Sequence, residues 1–158
     1  MLQYGDYRLI SSAIINQLGL DDAVDYSTWT KATANEFNNK YLNNEDYIRG
    51  LVLDELANHD TSDNHPTEIN DIVENAISEV FYAVDDIVEG YYQYQRNVTM
   101  NVYNEIINSM NNIVGVESVD SDYDPGDPDV GDYQETRTIT VRLTNGSEIY
   151  FDVEIAEE

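Results

Sequence analysis

Three aspartates spaced by two, Asp120, Asp122 and Asp124, are the most metal-like feature of the sequence. Carboxylates at this spacing open the calcium loop D-x-[DN]-x-[DN]-G-x5-E, which also needs Gly at the sixth place for a sharp turn and Glu at the twelfth as a bidentate ligand. Pro125 and Gly131 occupy those places, so the EF-hand fails and only a looser calcium site remains as an alternative. His59 and His65, with Asp60, Asp63 and Glu68, are the other candidate ligands. Two loop histidines six apart, without HExxH spacing, are a weak zinc signal. With no cysteine and two histidines, nucleophilic triads lack parts, and there is no P-loop or GxGxxG. Carboxylates are too many for one glycosidase-like pair to stand out. The chain reads as a non-enzyme without a cofactor.

What the sequence does offer is charge. Its 158 residues hold 32 acids against 7 bases, a net charge of -25. Solubility asks for a magnitude of only about 2–8, and self-repulsion at -25 opposes the compact state. Asn, Ile and Tyr are abundant, which suggests AT-rich codons; such codons should also bring lysine, yet 17 Asn stand beside only Lys31 and Lys40. Lysine looks excluded. A hydrophobic content of 41% is too high for a disordered acidic tail.

The acids concentrate where a helix should be. From Thr67 to Gln95, apolar residues at Ile69, Ile72, Val73, Ala76, Ile77, Val80, Phe81, Val84, Ile87, Val88 and Tyr91 follow one helical face. Glu68, Asp71, Glu74, Glu79, Asp85, Asp86 and Glu89 point the other way, with Tyr82 among them and no Lys or Arg before Arg96. A solvated helix face usually mixes signs to gain i,i+4 pairs; this one forgoes them. Tyr82, and Tyr92 near the end, are candidate anchors, since tyrosine offers a large rigid contact area with a polar tip.

The elements that must position these residues predict an α+β fold in one acidic domain, 1–158. Helices are expected at Tyr7–Leu18 (Asp6 as N-cap, Gly19 closing it), about Thr28–Leu42, Glu45–Asn58 (capped by Asn44), Thr67–Gln95 and about Val98–Asn112. Gly90 or the segment YQRN should end or bend the fourth, making the last two an antiparallel pair in a bundle of about five. A strand at about 113–119 follows, then an acidic loop at 120–135. That loop carries Asp120, Asp122, Asp124, Asp127, Asp129 and Asp132, which would extend the acidic surface. A hairpin at about 136–155 completes a small antiparallel sheet. A two-residue Asn145-Gly146 turn would place the apolar side chains of its strands on opposite faces. A three-residue loop, Thr144-Asn145-Gly146, pairs Val141 with Ile149 and Ile139 with Phe151, and sets Arg142 against Glu148.

No basic n-region or membrane-length apolar run is evident, so a cytoplasmic protein is expected. Anionic membranes and nucleic acid would repel it; a basic surface would attract it. In composition, size and lack of catalytic residues the chain resembles phage-encoded DNA mimics such as anti-restriction, anti-CRISPR and uracil-glycosylase-inhibitor proteins. The resemblance is one of charge and architecture, with no motif matched residue by residue. It implies binding to the basic groove of a nucleic-acid-binding enzyme, and inhibition of that enzyme. The alternatives are an acidic adaptor or phage accessory module that does not compete with nucleic acid, and a calcium-binding module. The tyrosine-rich apolar residues would also allow a homodimer.

Overall fold

The helical periodicity that begins at Ile69 does not stop at Gln95. The computed structural model describes residues 1–131 and 135–154. Its elements are α1 (Tyr7–Gln17), α2 (Lys31–Lys40), α3 (Glu45–Leu56), α4 (Pro66–Asn111), β1 (Val116–Asp124), β2 (Thr136–Leu143) and β3 (Glu148–Glu154). The fold is α+β, with four α-helices among the described residues rather than about five. The expected antiparallel pair at 67–95 and 98–112 is one uninterrupted helix. The chain divides into two compact units, Met1–Tyr91 and Tyr92–Glu158, and the division falls within α4.

In the first unit, Ile10 and Ile14 of α1, Ile48 and Val52 of α3, and Ile72, Val80 and Val84 of α4 are the largest fully buried side chains. The helix ends explain the boundaries. After α1, Gly19 has φ +69, the left-handed position that a C′ glycine fills without a Cβ penalty. Neither expected cap is made by its side chain: Asp6 instead accepts from the Gln3 N–H at 2.7 Å, and Asn44 makes no side-chain cap bond. The second helix starts at Lys31 rather than about 28, because Thr30 and Thr33 form a reciprocal capping box there.

Gly90 does not end α4, which runs on to Asn111. It makes room for Tyr26, whose hydroxyl donates to the Ile87 carbonyl at 2.7 Å. A Cβ at position 90 would lie 2.4 Å from the Tyr26 Oη and 3.0 Å from Cζ. The ring also meets Trp29, with centroids 5.4 Å apart, and Tyr91, 6.4 Å apart. The glycine is thus a site of close approach, a use that local sequence cannot distinguish from punctuation.

In the second unit, β1, β2 and β3 form an antiparallel sheet in that order. The hairpin has the expected register: Val141 opposite Ile149, Ile139 opposite Phe151, Arg142 opposite Glu148. Gly146 has φ +87, and its N–H reaches the Leu143 carbonyl at 3.0 Å while the Leu143 N–H reaches Ser147 at 2.8 Å. This is the turn-plus-bulge of a three-residue loop. β1 corrects two expectations. It begins at Val116, not 113, because α4 and the turn closed by Gly115 (φ +97) take the preceding residues. It also runs through Asp120–Asp124, expected as loop, because β2 pairs with every one of those residues. Tertiary pairing overrides the poor strand propensity of Asp. One sheet face packs on α4, with Tyr103, Ile139 and Val141 buried. Tyr103 is hydrogen-bonded to Ser121, and the Arg137 guanidinium lies over the rings of Tyr103 (5.5 Å) and Tyr123 (4.8 Å).

Candidate protein-binding surfaces

The buried side of α4 orients its acidic side. Ile72, Val73, Ala76, Ile77, Val80 and Val84 are almost wholly inaccessible, so the opposite carboxylates are held outward on a backbone that cannot roll. The seven acids then divide by what surrounds them. Glu68 accepts the His65 N–H at 3.0 Å and the Asn64 amide at 3.3 Å. These bonds, the backbone one foremost, hold its carboxyl below the usual range, and it closes the helix start beside Pro66. Glu74 accepts from Arg49 at 2.6 Å, and that hydrogen bond lowers its pKa. Glu79 is half-buried, within electrostatic reach of Arg8. Asp71, Asp85, Asp86 and Glu89 are exposed, and among the described residues none has a cation partner.

Those four acids span Asp71 to Glu89, roughly 27 Å at 1.5 Å per residue, about the rise of eight base pairs. Tyr82 lies among them, 67% exposed, the most protruding aromatic side chain of the helix. Tyr92 belongs to the other unit. It is half-buried and engaged in an interaction of its own, so it is a poorer anchor than Tyr82.

The second acidic surface is the bare face of the sheet. Along β1, side chains alternate: Val119, Ser121 and Tyr123 share the face that carries Ile139 and Val141, while Asp120, Asp122 and Asp124 share the other. These aspartates form a row with a spacing of roughly 7 Å, extended along the strand rather than converging on one point. The register places Thr136, Thr138, Thr140 and Arg142 beside them, then Glu148, Tyr150 and Asp152 on β3. Arg142 bridges the sheet, 3.2 Å from Asp120 and 3.2 Å from Glu148. Glu148 also accepts from the Tyr150 hydroxyl, which lowers the carboxyl pKa and raises the phenol's. Asp127 and Asp129 lie beyond β1 around a single helical turn, Pro128–Val130; Asp127 accepts from the Asp129 N–H at 3.1 Å. Asp132 lies outside the described residues.

The histidines have local roles. His59 faces Glu55 at 3.5 Å, and the His65 ring meets the Thr67 hydroxyl at 2.8 Å at the start of α4. Among the described residues no group of three or more His, Asp or Glu is poised around a metal. No described helix is long and apolar enough to cross a membrane. Beyond Arg96, α4 and the turn after it have a shallow open groove lined by Val102, Ile106, Met110 and Ile113, with Glu105 the one ionisable side chain among the described residues that line it.

Sequence reasoning missed Arg49 as the partner of Glu74 and the outward row of Glu148, Tyr150 and Asp152. The first needs contact across 25 residues and leaves no local trace. The second was present in the period-two pattern of the hairpin. Compared with protein-family models, with curated proteins and with solved structures, the chain matches none.

Proposed function

We propose that the chain is a nucleic-acid mimic that binds the basic groove of a nucleic-acid-binding enzyme and inhibits it. The observation that carries this is the set Asp71, Asp85, Asp86 and Glu89, cation-free and outward on a helix whose other side is packed. Glu89 lies three and four residues from Asp86 and Asp85, ~5–6 Å on such a face, the scale of phosphate spacing, while Asp71 stands roughly 21 Å further back along the same face. Rigid placement matters, because a partner's Lys and Arg then meet charge without first ordering it. The residues with structural duties, Glu68 and Glu74, contribute less. Tyr82 is the anchor, able to stack on an arginine or fill a pocket. The aspartate row of β1 is a further acidic face, in the second unit.

The test is capture. The protein is immobilised, host lysate is passed over it, and retained proteins are challenged with short duplex DNA or RNA and then with rising salt. Mimicry predicts a retained nucleic-acid enzyme that nucleic acid displaces and salt releases. The variant D71N/D85N/D86N/E89Q should retain none of it. Equal retention by that variant would remove α4 from the mechanism. Retention that nucleic acid does not disturb would favour an acidic adaptor.

A further inference from the structure

The sheet has two edges, and they are built differently. The β1 edge carries a bulge between Val116 and Ser118, a device that discourages further pairing. The β3 edge has no bulge and no proline, and Glu148–Asp152 are exposed throughout. Its two faces also differ. Ile149 and Phe151 share the packed face with Ile139 and Val141, yet they are 44% and 42% exposed against 2% and 4%. The apolar layer therefore continues one strand past its cover. Hydrogen bonding fixes which backbone groups are free. Leu143 donates to Ser147, so by antiparallel alternation Ile149, Phe151 and Val153 bond to β2 while Glu148, Tyr150 and Asp152 present N–H and C=O outward.

We propose that β3 accepts a fourth strand from a partner, an extended segment alternating apolar and basic side chains. Apolar residues of that strand would cover Ile149 and Phe151, and basic ones would lie beside Glu148 and Asp152. Charge selects this occupant over a second copy of the chain. Antiparallel self-pairing centred on Tyr150 sets Glu148 of each copy against Asp152 of the other, and like charges directly opposite are destabilising. The proposal is independent of nucleic-acid mimicry, since it invokes main-chain pairing rather than a basic groove.

A nine-residue peptide of alternating valine and lysine is the probe, with a peptide of the same composition in two blocks as control. Amide exchange on the full chain should show protection at Glu148, Tyr150 and Asp152 with the alternating peptide and none with the block peptide. Tyr150→Pro removes one outward N–H and spares the β2 ladder, a position where edge strands tolerate proline. It should weaken binding by about tenfold, the equivalent of about 1.4 kcal/mol. Equal binding of both peptides, protection confined to α4, or protection of β3 by self-association without peptide would each overturn the proposal. Should Tyr150→Pro fail to fold, the protection map of the unaltered chain decides.

Discussion

Replacing Gly90 with alanine should destabilise the protein, although helix propensity alone predicts the opposite. Gly-to-Ala in a helix interior gains about 1 kcal/mol. Against this, the new methyl group would stand 2.4 Å from the Tyr26 Oη, 3.0 Å from Cζ and 3.2 Å from Cε2. The ring must withdraw by roughly 1 Å to reach ordinary van der Waals distance. Withdrawal breaks the bond to the Ile87 carbonyl, worth about 1 kcal/mol. It also loosens the contacts with Trp29 and Tyr91, at about 0.5–1.5 kcal/mol each. The net loss is about 1–3 kcal/mol, which for a chain of this size lowers Tm by roughly 2–12 °C. Trp29, the single tryptophan, packs on Tyr26, so its emission reports the same locality during a thermal or urea melt. Tyr26→Phe removes the closest atom, so in a double-mutant cycle the two substitutions should cost less together than their separate effects imply. A Gly90→Ala protein as stable as the parent, with unchanged Trp29 emission, would refute this account of the glycine.

Salt should act with opposite signs on folding and on binding: added NaCl screens the repulsion within a chain of net charge -25 and raises Tm, while it weakens capture of a basic partner. Arg49→Gln should free Glu74 and add a fifth cation-free acid to α4, so it should lower stability slightly and strengthen partner retention in the capture assay. The hydrogen bond from Arg96 holds the Glu135 carboxyl below its ordinary pKa, so its contribution is full above the unfolded carboxylate range and is lost as pH falls through the lowered folded value. Melts of Glu135→Gln between pH 7 and pH 3 should therefore show a deficit at neutral pH that closes in acid; a deficit constant with pH would exclude the charge pair as its cause. Gly146→Ala forces a Cβ into φ +87 and should cost about 1–2 kcal/mol, seen as early loss of amide protection in β2 and β3.

Where one face of an element is buried and the other wet, its place could be read from local pattern. That is why the apolar face of α4, the close of α1 at Gly19 and the three-residue hairpin loop with its whole register were legible. What failed depended on distant partners. Gly90 looked like a break because its reason is Tyr26, far away in sequence. With that reason hidden, the polar run after it seemed a second boundary, although nothing in Gln95, Arg96 and Asn97 forbids a helix. Asp120–Asp124 looked like loop because aspartate disfavours strands; the alternation Asp-Ser-Asp-Tyr-Asp was the better signal, and the threonines of β2 complete it. In the candidate surfaces, the outward direction of the α4 acids was legible, while Arg49 and Arg142, which neutralise some of the acids, depend on contacts that the fold alone creates.

The aspartate row of β1 has a consequence apart from any partner. A strand that slips by one residue against its neighbour turns every side chain to the other face. For β1 that slip would bring Asp120, Asp122 and Asp124 toward Tyr103, Ile139 and Val141, where each ionised carboxylate would lose its hydration at a cost of several kcal/mol. Mispaired forms of the sheet are disfavoured by that cost. Asparagine at these positions would keep the shape but lower that barrier. Such a variant should refold with more trapped, aggregation-prone species even where its native melt is unchanged, so the same acids that charge the surface also proofread the fold.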